Sequence, residues 1–310
     1  MKKCLAIAAI LVMTSAQAET PKFGDLNYFL KEGQKTISAA ASVGEENTRK
    51  KNEATDLIIN GYFFQADFAY ALTDKLNAYA GLNYLYRVET KDGGVNYNTD
   101  GLQNPKFGVN YRVFNQNEMG QNFDIGAVAH VKFMEQEVGS LSPNSDGTIL
   151  DPLLSNKTDP RNSLELNARL GNKWNEANEY YLLAGIVHHF NGTYDDSVSN
   201  ENNSLDASTD LKIGAQYQYA PLDEFMMSLG AMGTRYGVSG IKSAGSTTSY
   251  TSHFDVEVTF SAKYLVTDSL MAKFSLIQDN RDYFSDEDNS SVMFDKRRAF
   301  AYAAGIDYLF

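Results

Sequence analysis

The chain has 310 residues, a formal charge of −12 at pH 7 and a negative mean hydropathy of −0.37. The acidic surplus excludes nucleic acid as a partner, because neutralising phosphates needs a basic surface. With 19 Tyr, 18 Phe and 23 Gly against one Trp and six Pro, the composition suits two-faced β-strands, whose oily face disappears when hydropathy is averaged.

The N-terminus reads as a secretory signal. Lys2 and Lys3 are followed by an apolar stretch over 5–13, too short to cross a bilayer as a helix, and then by the small-x-small pattern Ala16-Gln17-Ala18. Residues 1–18 are expected to be removed, leaving Glu19 first. Cys4, the single cysteine, lies in that segment and precedes the apolar run, so no disulfide, no Cys-ligated metal and no lipid anchor is expected. Residues 19–35 carry Phe23, Leu26, Tyr28, Phe29 and Leu30. They either hang in the periplasm or fold into the lumen as a plug or short helix.

From there the chain alternates apolar and polar residues, the period of a β-strand. Strands are predicted at 36–44, 57–72, 76–90, 103–115, 122–137, 163–175, 180–194, 209–220, 225–242, 253–266, 270–284 and 292–310. Residues 76–89 show the pattern best: Leu76, Ala78, Ala80, Leu82, Tyr84, Tyr86 and Val88 share one parity, and Asn77, Tyr79, Gly81, Asn83, Arg87 and Glu89 the other. The parity of 180–194 is open, because Tyr180-Tyr181 and His188-His189 each fall on both faces.

Connections alternate strictly in length. Short ones fall at 73–75, 116–121, 175–179, 221–224 and 267–269. Long ones fall at 44–55, 91–101, 139–162, 195–208, 243–252 and 285–291. Strands of roughly ten residues or more, with charged residues beside Gly on the polar face, distinguish this pattern from a soluble sandwich. The fold class is therefore all-β: a transmembrane, antiparallel, up-and-down β-barrel of about 12 strands over residues 36–310, with tight periplasmic turns and longer outer loops. It is closed, since an open edge in lipid leaves backbone groups unpaired. The location that follows is the outer membrane of a Gram-negative cell, after export through the inner membrane.

The last strand places Phe300, Tyr302, Ala304, Ile306, Tyr308 and Phe310 on one face. Gly305, Tyr308 and the terminal Phe310 resemble the C-terminal signal of outer-membrane proteins. That resemblance implies recognition by the barrel-assembly machinery.

No His-Glu-x-x-His, Gly-x-Ser-x-Gly or phosphate-binding glycine loop is present, and no cofactor, metal or catalytic set is predicted. His188-His189 with Asp195-Asp196 is the best arrangement for a lipid-modifying enzyme. Asp195-Asp196 and Asp286-Glu287-Asp288 are read as solvated loop surface rather than cation sites. Arg297 and Arg298 near the outer rim suit lipopolysaccharide phosphates. The inward parity collects Lys106, Arg112, Lys132, Arg169, Lys212, Lys263 and Lys273 against Asp124, Glu165, Asp255 and Glu257. These eleven are the candidate pore-lining residues, since charges in a wet lumen tune selectivity. The alternative is that they pair and fill space, as a barrel of intermediate size allows.

The stretch Gly-Leu-Gln-Asn-Pro-Lys-Phe-Gly-Val-Asn-Tyr-Arg-Val at 101–113 resembles a segment of the meta-pathway phenol-degradation family of outer-membrane proteins, with Gln103 where the usual second glycine stands. The resemblance implies a transporter-type barrel. The preferred reading is passive passage of a small-molecule solute through a narrow, mixed-charge, porin-like lumen, with outer-membrane lipid and lipopolysaccharide as surroundings. The other classes are a lipid-modifying enzyme and a structural or surface-recognition barrel acting through its loops.

Overall fold

The computed structural model describes residues 29–51, 56–92, 95–115, 121–132, 161–196, 201–243, 246–250, 252–282 and 293–310. In chain order the strands are β1 (Lys35–Lys51), β2 (Asp56–Thr73), β3 (Leu76–Asp92), β4 (Val95–Leu102), β5 (Lys106–Phe114), β6 (Gln121–His130), β7 (Ser163–Asn175), β8 (Asn178–His189), β9 (Gly192–Asp196), β10 (Glu201–Leu205), β11 (Ser208–Leu222), β12 (Phe225–Tyr236), β13 (Ser239–Ser243), β14 (Ser246–Tyr250), β15 (His253–Thr267), β16 (Leu270–Asp282) and β17 (Met293–Leu309). Twelve of them form one closed antiparallel barrel: β1, β2, β3, β5, β6, β7, β8, β11, β12, β15, β16 and β17.

The alternation sets which face meets lipid. The apolar parity points outward and stays exposed, with Ile213 at 69%, Tyr302 at 55%, Leu229 at 54% and Leu166 at 50%. An apolar belt of this extent would be untenable in water and is what a bilayer-spanning barrel presents to lipid. On β8, Tyr181 and Val187 are buried inside while Tyr180, Leu182 and Ile186 face outward. The parity left open by the sequence is thereby decided.

The ring closes between the first and last strands. Ala40 pairs with Gly305 and Ile37 with Tyr308. The Lys35 N–H donates to the Phe310 carbonyl at 2.8 Å and the Phe310 N–H to the Lys35 carbonyl at 3.0 Å, so the terminal residue itself completes the seam.

Several regions expected as long connections are strand. β1 runs on to Lys51, and β4 folds back on β3 through the pair Asp92↔Val95. β10 and β14 fall in the expected connections, whereas β9 and β13 arise because the strands predicted at 180–194 and 225–242 break at 190–191 and 237–238; the four form a separate sheet at the long-loop end. These segments are rich in Asn, Ser, Thr and Asp, which weakens any strand prediction from propensity. Their backbone groups nevertheless pair, β4 with β3 and the four upper strands with one another, which satisfies them as well as water would. The breaks from barrel to upper sheet are capped by side chains: Asn191 Oδ1 accepts from the Ala207 N–H at 2.6 Å, and Asp210 Oδ1 from the Gly237 N–H at 3.0 Å. β6 ends at His130, short of the predicted 137. Residues 133–160 and 283–292, with the Asp286-Glu287-Asp288 cluster, lie outside the described residues, as do 1–28.

At the short-turn end the interior is apolar in two places. Ala220, Met226 and Leu265 pack with Met271 on one side. Leu30, Ala71 and Leu309 pack together with Ala69 on the other.

Candidate functional site

Every barrel strand puts alternate residues into the lumen, and cross-strand register decides which of them meet. Arg112, Asp124 and Arg169 are lateral neighbours on β5, β6 and β7. Arg112 Nε lies 2.8 Å from Asp124 Oδ1 and its Nη2 3.1 Å from Oδ2. Arg169 Nη2 reaches the same Oδ2 at 2.6 Å. Lys212 Nζ on β11 meets Glu165 Oε2 on β7 at 3.0 Å, across β8.

Two partners were not among the predicted residues. Lys106 pairs with Asp67 of β2 at 2.8 Å, across Gly81 of β3, and Lys273 pairs with Asp307 of β17. Both aspartates sit on the polar parity of their strands, which was the available signal. Asp255 is buried, Glu257 accepts from the Thr259 hydroxyl at 3.0 Å, and Lys263 stands opposite Lys273 in the ladder. Of the eleven candidates, ten therefore sit on inward parity. Lys132 lies beyond the end of β6. Its backbone N–H donates to Asn162 Oδ1 at 2.7 Å and its Nζ to the Thr193 carbonyl at 2.9 Å, so it ties down strand β9 at the rim.

Two cavities open along the side of the lumen that runs from β3 to β12. One, of about 450 Å³, is bordered by Phe29, Asn77, Asn110, Asp124 and Asn167; the other, of about 340 Å³, by Asn83, Gln103, His130, Arg161 and Tyr236. Glu165 and Lys212 border both, so their ion pair lies between the two.

The N-terminal segment enters this wall from the short-turn end. The Phe29 ring stacks against the Arg112 guanidinium, 4.6 Å from centroid to Cζ. Leu30 is buried, the Gly33 N–H donates to the Ala71 carbonyl at 3.0 Å, and the Ala71 N–H to the Gln34 carbonyl at 2.9 Å.

The histidine pair is split by the strand. His188 faces outward, with Nδ1 3.0 Å from Thr209 Oγ1 and its ring edge-on to Phe190. His189 faces inward, with Nε2 3.0 Å from Asp210 Oδ2. Asp195 and Asp196 pair with Asn202 and Glu201 in the β9–β10 ladder instead. Ser163 and Ser208 are the cross-strand neighbours of His189, and Arg161 Nη1 donates to Ser208 Oγ at 3.1 Å. Arg298 is exposed on the outer face; Arg297 pairs through its backbone with Thr48 and Arg281. Among the described residues no group of three or more His, Cys, Asp or Glu is placed to hold a metal.

The fold matches an outer membrane channel from Pseudomonas putida F1 over 96% of this chain and 100% of that one, with a TM-score of 0.62 and 14% identity. It matches the translocator domain of autotransporter NalP from Neisseria meningitidis over 99% of this chain and 93% of that one, with a TM-score of 0.51 and 12% identity. No family model and no curated protein matches the sequence. The likeness is one of fold: this chain is a β-barrel of the outer-membrane type.

Proposed function

We propose that the protein is an outer-membrane pore that lets small solutes pass passively, with the inward ion-pair wall as its lining. The observation that carries this reading is the polar lumen, with cavities of about 450 and 340 Å³, inside a belt of lipid-facing apolar residues. Lys106, Arg112, Asp124, Glu165, Arg169, Lys212, Asp255, Glu257, Lys263 and Lys273 are the proposed lining, and Lys132 a rim residue. Because most of these charges are engaged, with one another or with Asp67 and Asp307, the pore discriminates weakly between small anions and cations.

Residues 19–35 are proposed as a plug at the periplasmic mouth. The seating of Phe29 on Arg112 and of Leu30 on Ala71 and Leu309 supports this over a free periplasmic tail. Residues 1–18 are the proposed export signal. Gly305, Tyr308 and Phe310 are proposed to be read by the assembly machinery, and Arg298 to meet lipopolysaccharide phosphates.

The test is single-channel conductance of the refolded barrel in a planar bilayer. Discrete steps with weak ion selectivity are expected. A folded barrel that stays silent, even after deletion of residues 19–34, would overturn the pore and leave a surface-recognition or enzymatic role.

A further inference from the structure

Asn77 is 8% exposed, borders the larger cavity, and its Oδ1 accepts no hydrogen bond from the described residues. Asn83, on the same face of β3, borders the smaller cavity, and its Oδ1 is likewise buried without a donor. A buried acceptor left unmade is costly and calls for an explanation.

Other carboxamides gather round these two. Asn77 pairs laterally with Asn110. Asn110 and Asn167 lean toward each other over Gly126, where each Oδ1 lies 2.4 Å from the place a Cβ would take. Gln103 and Asn104 border the upper cavity. The carboxylates alongside are engaged: Asp124 with two arginines, Glu165 with Lys212, and Asp210 with His189, while Arg161 donates to the Ser208 hydroxyl and the Asp206 carbonyl. What remains facing a solute is chiefly carboxamide, an uncharged group with one carbonyl acceptor and two N–H donors.

The complement of such a wall is an uncharged molecule whose closely spaced groups both donate and accept. Hydroxyls do this. An apolar solute or an anion without donors would leave the asparagine oxygens unpaired, and a cation would meet the surplus guanidinium charge beside Asp124. Both cavities fall within the ~300–1,000 Å³ range of small-molecule sites. We infer that the wall from β3 to β12 binds a small polyhydroxylated solute, a monosaccharide or sugar alcohol, with the Asn77 and Asn83 carboxamides turning toward the cavities they border to accept from its hydroxyls. The solute's passage between the two cavities rests on the pore reading; its binding does not.

The experiment is saturation-transfer NMR on the refolded mature chain in detergent, with D-glucose, sorbitol and, as a zwitterion of similar size, L-glutamine. Folding is checked by heat-modifiable gel migration. Transfer to both sugars and little to glutamine is expected. Asn77→Leu and Asn83→Leu should each weaken sugar binding roughly 3- to 10-fold, the contribution of about one hydrogen bond. No transfer to the sugars, equal transfer to glutamine, or undiminished sugar binding in both variants would overturn the proposal. The wild-type comparison decides the ligand class even where a variant fails to fold. Conductance measured on the same preparation separates the two readings: a conducting barrel that binds no sugar keeps the pore and loses this inference, and a silent barrel that binds sugar does the reverse.

Discussion

Arg112 and Asp124 face each other across the β5–β6 ladder with Nε and Oδ1 2.8 Å apart, and both side chains are less than a tenth exposed. Arg169 adds a second cation to the same carboxylate, so one anion holds two guanidiniums in the wall.

Asp124→Asn leaves those guanidiniums without their counter-charge. Breaking a buried pair by removing one partner costs about 3–5 kcal/mol, so the denaturant midpoint of the refolded barrel should fall. In the bilayer, the freed positive charge should shift selectivity toward anions. An unchanged midpoint together with unchanged selectivity would show that the cluster is solvated and contributes neither stability nor selectivity.

Phe29→Ala removes the ring from Arg112. The expected loss of stability is modest, about 0.5–2 kcal/mol for a cation–π contact, and unitary conductance should rise. Deletion of residues 19–34 should raise it further. Equal conductance in all three proteins would place the segment outside the ion path.

Gly305 tests packing against recognition. A Cβ there would stand 2.5 Å from the Ala39 carbonyl oxygen in the closing seam, whereas at Gly44 the nearest atom is 3.4 Å away. Gly305→Val should therefore lower the folded fraction in purified detergent refolding, with no assembly machinery present, and Gly44→Ala should refold nearly as the parent does. A Gly305→Val protein that refolds normally in detergent but fails to assemble in cells would assign the glycine to recognition alone.

The two faces of one strand should respond differently to the same charge. Ile213→Lys puts an ammonium in the lipid belt, where a midplane lysine costs about 2–4 kcal/mol. Gln216→Lys, on the lumen side of β11, should cost much less. Equilibrium unfolding in lipid vesicles distinguishes them, and similar losses for both would contradict the assigned faces.

Much of the architecture was legible in the residues because the β period is local. Leu76 to Tyr86 names its lipid face and Asn77 to Asn83 its lumen face with no knowledge of neighbours. The alternation of short and long connections sets an even strand count, and inward parity holds for ten of the eleven candidate charges. What the sequence could not settle is which inward residues meet. That depends on register and shear around the ring, which bring Asp67 of β2 to Lys106 of β5 across β3 and set Asp307 diagonally against Lys273 on the adjacent strands β17 and β16. It also depends on where strands leave the barrel, so Lys132 ends at the rim and His189 meets Asp210 instead of Asp195 or Asp196. The seating of Phe29 on Arg112 is likewise a tertiary decision, since only the closed ring brings the start of the chain beneath β5. Alternation along the chain thus determined a two-faced closed sheet, and closure in three dimensions decided which charges are engaged and which asparagine oxygens, those of Asn77 and Asn83 among them, are buried without a donor.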